Sequence, residues 1–326
     1  MKAHLLLSRR ALLATSLALV AVGPAANADD YPTRPVRIIV STPAGNGPDV
    51  IGRIVADNLT RLWGQQVVIL NQPGANGAIA MRAAATSAPD GYTLFLSLFS
   101  NYITLPEWKL PFDVARDFAP IGLVSEQPML VGVTPTLGVN SLQELIAVAK
   151  RRPGEINVGI GTPRGFLPHL TAEWLRKATE THMTIVHYPG AAQAITDLIA
   201  RRVHVVIENL SVFEGPMAGG TLKPLAVASD RRWPTLPELP TAAETIPSFV
   251  ANGWFALAAP PATPPAMARK INDDLRMVLS RPELKQRFLE LGSNTRPMTP
   301  DELTSFIRSE QELWRPIVSE ITSTPK

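Results

Sequence analysis

The sequence predicts an α/β protein of two doubly wound lobes that face each other across a cleft. Three observations carry this reading. Short apolar runs alternate with amphipathic segments along most of the chain, the pattern of strands joined by helices. The alternation forms two β-loop-α series followed by a return segment. In each series a loop with glycine and proline stands between a strand and a helix, where open α/β sheets place their ligands.

Residues 1–28 are set aside first, as an export signal. Lys2, Arg9 and Arg10 precede an apolar run over 11–22 that is too short to span a bilayer. Ala26-Asn27-Ala28 is a small-x-small cleavage site, so the mature chain is expected to begin near Asp29. Ser8-Arg9-Arg10-Ala11-Leu12-Leu13 also resembles a twin-arginine signal. The expected location is the periplasm, with no membrane span in the mature chain.

The first series begins with the strand Val36-Arg37-Ile38-Ile39-Val40 and a helix over 49–62. It continues with a strand over 67–70, a helix over 78–86, and strands over 92–97, 121–124 and 129–133. A helix over 141–150 closes it. In the second series, strands over 156–160, 183–187, 203–207 and 222–228 alternate with helices over 167–177 and 191–200. A proline-rich connection over 233–247 leads to a last strand over 252–258 and to helices over 266–279, 282–291 and 300–319. One lobe is expected over 29–125 and 248–326, and the other over 126–247.

Composition narrows the function. The signal carries three of the 31 Lys and Arg and none of the 28 Asp and Glu, so its removal brings the formal charge of +3 to zero. Nothing in that balance calls for a nucleic acid or a membrane surface as partner. The absence of cysteine excludes disulfides, thiolate metal sites and cysteine nucleophiles. A chain of this size buries enough apolar surface to fold without disulfides.

Two loops have the residues of an anion cradle. In Ser41-Thr42-Pro43-Ala44-Gly45-Asn46-Gly47-Pro48-Asp49, the glycines permit close backbone approach and Asp49 is placed to cap the helix. A dinucleotide fingerprint fails there, because Val50 stands at the third glycine position and Asn71 where a ribose-binding acid belongs. In Gly159-Ile160-Gly161-Thr162-Pro163-Arg164-Gly165-Phe166-Leu167-Pro168-His169, Thr162 offers a hydroxyl and the helix start offers amides. His169 has no nucleophile signature beside it. There is no G-x-S-x-G, H-E-x-x-H or G-x-x-x-x-G-K-[ST] string, and His169, His182, His187 and His204 lack metal-ligand spacing. Glu208, expected just beyond the strand over 203–207, is a candidate hydrogen-bond acceptor in the cleft, without the partner acid that a general base would have.

Several strings in order then resemble a known family. They are Tyr31-Pro32-Thr33-Arg34-Pro35-Val36-Arg37, Asn71-Gln72-Pro73-Gly74-Ala75-Asn76-Gly77 and Ala88-Pro89-Asp90-Gly91-Tyr92-Thr93-Leu94, then Leu110-Pro111-Phe112-Asp113 with Arg116-Asp117-Phe118-Ala119-Pro120-Ile121. Pro168-His169-Leu170, His187-Tyr188-Pro189-Gly190-Ala191 and Leu236-Pro237-Glu238-Leu239-Pro240-Thr241-Ala242-Ala243-Glu244 complete the set. Together they resemble the substrate-binding proteins of tripartite tricarboxylate transporters, also called Bug receptors in Bordetella-type bacteria. The resemblance covers essentially the whole mature chain. It implies a two-lobed Venus flytrap fold and a monomer without cofactor or catalysis. Such a receptor binds a small carboxylate and hands it to the permease subunits of the transporter. Carried over, it implicates Thr42, Ala44, Gly45, Asn46, Gly47 and Asp49 from one lobe, and Thr162, Pro163, Gly165 and His169 from the other. Tyr188, Ala191 and Glu208 would line the cleft.

The sequence departs from the family pattern at three of these places. Ala44 stands where a glycine is usual, Phe166 where a serine or threonine is usual, and Glu208 where an aspartate is common. Phe166 and the longer Glu208 would shrink the pocket, and Phe166 adds an aromatic face. The expected ligand is therefore a carboxylate with an apolar or aromatic body. Two other functions share these residues: a sensor component that feeds a two-component system, and a periplasmic hydrolase using His169 and Glu208.

Overall fold

The computed structural model describes residues 30–323, and the expected export signal and its cleavage site lie outside them. In the first half, β1 (Val36–Val40), α1 (Gly47–Trp63), β2 (Val67–Asn71), α2 (Ala78–Ala85) and β3 (Thr93–Leu98) alternate. Two short helices follow, α3 (Phe99–Tyr102) and α4 (Val114–Asp117), before the long β4 (Ala119–Val133) and α5 (Leu142–Arg151). The second half repeats the alternation with β5 (Asn157–Ile160), α6 (Leu167–Thr179), β6 (Thr184–His187), α7 (Ala191–Ile199) and β7 (Val205–Asn209). The chain ends with α8 (Leu210–Ala218), β8 (Lys223–Val227), β9 (Asn252–Ala259), α9 (Pro265–Leu279), α10 (Pro282–Glu290) and α11 (Pro300–Ser323).

The strands run in the order β2-β1-β3-β9-β4-β7-β5-β6, with β8 also on β4. β1 pairs in parallel with β2 and β3, and β5 does the same with β6 and β7. Parallel neighbours require crossovers, which α1, α2, α6 and α7 supply. β4 joins the two halves: its residues from Ala119 to Pro128 pair with β9, and those from Met129 to Val133 pair with β7 and β8. The two lobes therefore share one continuous strand, with β9 as the return path.

Both faces of the first lobe's sheet are covered, as parallel strands demand. Val36, Ile38 and Val40 pack with Ile51, Val55 and Leu59 of α1 and Ile271 and Leu275 of α9, while Ile39 turns to the opposite cluster. That opposite cluster runs on into the second lobe. It includes a chain of rings from Trp174 of α6 to Trp314 of α11, then Phe99, then Trp254 of β9, with centroids 5.1, 5.4 and 5.9 Å apart. Trp254 and Trp314 are fully buried, so α11 ties α6 to the strands that link the lobes.

Four local expectations change. The strands expected over 121–124 and 129–133 are one strand, because Ser125 to Pro128 keep pairing with β9 although their sequence is polar and ends in proline. α8 was not expected, and it holds Pro216 near its C-terminal end. Glu208 lies inside β7 and not beyond it. Asp49 is not the cap of α1: Asn46 holds the extended capping conformation, and Asp49 belongs to the first turn.

Candidate functional site

The loops after β1 and β5 have one construction. Thr42-Pro43-Ala44-Gly45-Asn46-Gly47-Pro48-Asp49 matches Thr162-Pro163-Arg164-Gly165-Phe166-Leu167-Pro168-His169 position for position, as Thr-Pro-x-Gly-x-x-Pro-x. Gly45 and Gly165 have φ of +86° and +88°, a conformation open to glycine. Asn46 N–H donates to Pro43 O at 3.4 Å, and Phe166 N–H to Pro163 O at 3.3 Å. The two cap residues have nearly equal dihedrals, φ −76° and ψ 161° at Asn46 against −79° and 161° at Phe166.

Each loop is tied from behind by two side chains. In the first, Gly45 N–H donates to Asp49 Oδ2 at 2.8 Å, and Asn71 Nδ2 donates to Thr42 O at 3.1 Å. In the second, Gly165 N–H donates to His169 Nδ1 at 3.1 Å, and His187 Nδ1–H donates to Thr162 O at 3.1 Å. Asn71 and His187 are the last residues of β2 and β6, and both open a matching string, Asn71-Gln72-Pro73-Gly74-Ala75 and His187-Tyr188-Pro189-Gly190-Ala191. Gln72 N–H and Tyr188 N–H reach back to Val40 O and Ile160 O at 2.8 Å each. Asn71, Gln72 and His187 were missed by sequence reasoning. The recurrence of Thr-Pro-x-Gly and Pro-Gly-Ala was the signal that could have found them.

What the loops present is hydrogen-bonding capacity. The first-turn N–H groups of α1 and α6 have no acceptor inside their own helices, and those helix ends favour negative charge. Beside them, Thr42 Oγ1 and Thr162 Oγ1 are buried without a protein partner, and so is Gln72 Oε1. Pro43 to Gly47 are exposed, as is Pro163. Asp49 is 2% exposed and engages Arg53 and Asn71 besides Gly45. Burial raises its carboxyl, but hydrogen bonds from Arg53, Gly45 and Asn71 outweigh burial and hold it at about 2.

Glu208 lies at the end of β7, buried, with Gly161 N–H donating to its Oε1 at 3.2 Å. Burial pushes its carboxyl up to about 7, against the lowering effect of the Gly161 and Asn209 amides. Gly161 has no room for a side chain: an added Cβ would stand 2.3 Å from the Cα of Ala191, at the start of α7. Tyr188 directs its hydroxyl to Asp197 Oδ2 of α7 at 2.8 Å. His169 is 3% exposed, and its Nε2 faces Glu173 Oε1 at 3.6 Å. Both of its ring nitrogens therefore face protein groups.

The second loop is also held by the segment between β3 and β4. Phe166 packs on Trp108 with ring centroids 5.3 Å apart. Gly165 lies against Leu105, whose Cδ1 is 2.5 Å from where a Cβ would be. Arg164 reaches Glu107 Oε1 at 3.5 Å and donates to the carbonyl of Ile321 in α11. The segment around Leu105 and Trp108 thus grips the second loop. Among the described residues no group of three or more His, Asp or Glu side chains could hold a metal ion, and no helix is long and apolar enough to cross a membrane.

The chain is similar to known proteins. Protein BugT of Bordetella pertussis is 34% identical over 316 residues, covering 95% of this chain and 96% of that protein. A solved structure described as R. palustris Rpa4515 with adipate is 31% identical with a TM-score of 0.78, over 89% of this chain and 97% of that one. MatC from Rhodopseudomonas palustris, with bound malate, is 25% identical with a TM-score of 0.73, over 88% of this chain and 100% of that one. The family model described as tripartite tricarboxylate transporter family receptor, TctC, matches residues 51–322. The chain belongs to that family and is a solute-binding receptor of the TctC and Bug type.

Proposed function

We propose that this protein is a periplasmic receptor that closes its lobes on a small carboxylate and delivers it to the membrane subunits of a tripartite transporter. The observation that carries the reading is the pair of buried hydroxyls, Thr42 Oγ1 and Thr162 Oγ1, without protein partners beside the open first turns of α1 and α6. Buried polar atoms without partners call for a ligand or ordered water. Helix N-termini bind anions without a cationic side chain. The adipate and malate bound by two structural relatives support a carboxylate as the occupant.

Thr42, Ala44, Gly45, Asn46 and Gly47 would supply the first half of the cradle, with Asp49 shaping it from behind. Thr162, Pro163, Gly165 and the start of α6 would supply the second, with Ala191 and Glu208 beside it. Phe166 and Trp108 would form an apolar rim suited to a ligand with an apolar or aromatic body. The lobe limit at 125/126 is supported by the change of partner within β4 after Pro128, and that at 247/248 by the return of the chain to β9, which pairs with β3 and the first part of β4. A binding role without turnover is supported by His169, whose nitrogens are taken up by Gly165 and Glu173.

The test is a thermal-shift panel on protein beginning at Asp29 and refolded to remove carried-over ligand. Adipate, malate, aromatic monocarboxylates and acidic amino acids form the panel. A saturable rise in Tm with one group, weakened in Thr42→Val and Thr162→Val, is the expected result. A flat profile across the panel would overturn the carboxylate reading.

A further inference from the structure

The two ligand loops share a backbone, but different chemistry holds them. Asp49 Oδ2 and His169 Nδ1 each stand three bonds from Cα and accept the N–H of the left-handed glycine. Asn71 Nδ2 and His187 Nδ1 also stand three bonds from Cα, and each donates to the carbonyl of the loop threonine. The members of each pair also meet. Asn71 Nδ2 donates to Asp49 Oδ1 at 2.9 Å, while the rings of His169 and His187 lie 4.9 Å apart. From these contacts we infer that His169 and His187 are the positioning pair of the second ligand loop, the imidazole counterpart of Asp49 and Asn71, and that acid releases this loop while leaving the first in place. The inference rests on the reading of both loops as the ligand cradle.

The asymmetry follows from hydrogen-bond inventory. An imidazole accepts at Nδ1 only when that nitrogen carries no proton, so His169 must be the Nε2–H tautomer. In an imidazolium both nitrogens donate, and Nδ1–H would then oppose the Gly165 N–H. His187 already donates from Nδ1, so protonation leaves its bond to Thr162 intact and adds a charge beside His169. Imidazoles change charge between about pH 5 and pH 8, whereas a paired carboxylate such as Asp49 stays ionised there. The groups that face His169 are Glu173, 3.6 Å from its Nε2, and His187 on β6, and Arg164 and Arg176 stand near Glu173.

The test begins without ligand, by imidazole and amide ¹⁵N NMR of the exported protein. At about pH 8, His169 is expected as the Nε2–H tautomer and His187 as Nδ1–H. On lowering to about pH 5.5, the Gly165 amide is expected to shift while the Gly45 amide stays. His169→Asn is the conservative variant: its Oδ1 has the reach that Asp49 demonstrates, and it does not titrate. In that variant the Gly165 amide is expected to hold one position at both pH values. A His169 Nδ1–H tautomer, a Gly165 amide indifferent to pH, or one that moves equally in His169→Asn would overturn the proposal.

Adipate affinity is the second readout. The wild type is expected to lose about tenfold more than His169→Asn over the same interval, which cancels the titration of adipate itself. Equal losses would also overturn the proposal. Because the amide readout needs no ligand, its failure falls on the histidine pair. A flat carboxylate panel with the expected amide behaviour falls on the carboxylate reading alone.

Discussion

Trp108, between β3 and β4, and Phe166, at the start of α6, hold their rings 5.3 Å apart at an interplanar angle of 43°, so one aromatic pair joins the segment after β3 to the loop after β5. If the lobes close on a ligand as proposed, this contact would favour the closed state. Aromatic pairs of this kind contribute about 1 kcal/mol beyond their buried area. In a double-mutant cycle of Trp108→Ala and Phe166→Ala, read as ligand affinity, a coupling of about that size is expected. Strict additivity would show that the pair does not take part in closure.

Gly45 and Gly165 have nearly the same φ, yet alanine at each should behave differently. An added Cβ at Gly45 meets no atom within 4 Å, so only the left-handed backbone opposes it. Gly45→Ala is expected to cost about 1–2 kcal/mol. At Gly165 the same methyl meets Leu105 Cδ1 at 2.5 Å and Trp108 Cζ2 at 2.8 Å. Overpacking adds about 1–3 kcal/mol there. Chemical denaturation of the two variants measures the difference, and Leu105→Ala should rescue part of the Gly165→Ala loss. Equal costs at the two positions would remove the interlobe contact from the account.

How far the sequence could be read follows from which interactions are local. β1, β2 and the helices after them announce themselves through apolar runs and periodicity, and the structure has them within a few residues of expectation. β4 was divided in reading because its continuity depends on pairing with β9, more than a hundred residues away in the chain. The two loops were legible from glycine, proline and threonine between strand and helix. Their anchors were not, because Asn71 and His187 come from neighbouring strands and act through backbone carbonyls. The grip of Leu105 and Trp108 on the second loop lay beyond local reading as well. It needs both lobes in place.

Asp49 should act as a brace for the first loop and not as a ligand contact. Its carboxylate is spread over Gly45, Arg53 and Asn71, so Asp49→Ala removes the partner of the Gly45 amide and of the Asn71 side chain together. A loss of about 2–3 kcal/mol in stability is expected, with ligand affinity falling alongside. Its folded value of about 2 lies below the ordinary 3.8, so this contribution is complete above about pH 4 and fades as pH falls toward 2. Denaturation of Asp49→Asn and wild type across that interval should therefore converge in acid. A constant difference would contradict the assignment.

Glu208 makes the opposite contribution. Burial raises its carboxyl from 4.5 to about 7, so between those values the folded protein keeps a proton that the unfolded chain releases. Stability must then fall as pH rises through that interval and level off above it, by about 3 kcal/mol at most. Glu208→Gln keeps an oxygen for the Gly161 amide and removes the ionisation. Its Tm is expected to match wild type near pH 5 and to exceed it by about 5 °C near pH 8. The same substitution bears on ligand binding, because an ionised Glu208 beside an anionic ligand costs Coulomb energy that a neutral carboxyl does not. Wild-type affinity for a carboxylate should decline above about pH 7, where Glu208→Gln should hold level. Parallel Tm profiles for the two proteins would mean that Glu208 is not held neutral by burial, and the decline in affinity would then need another source.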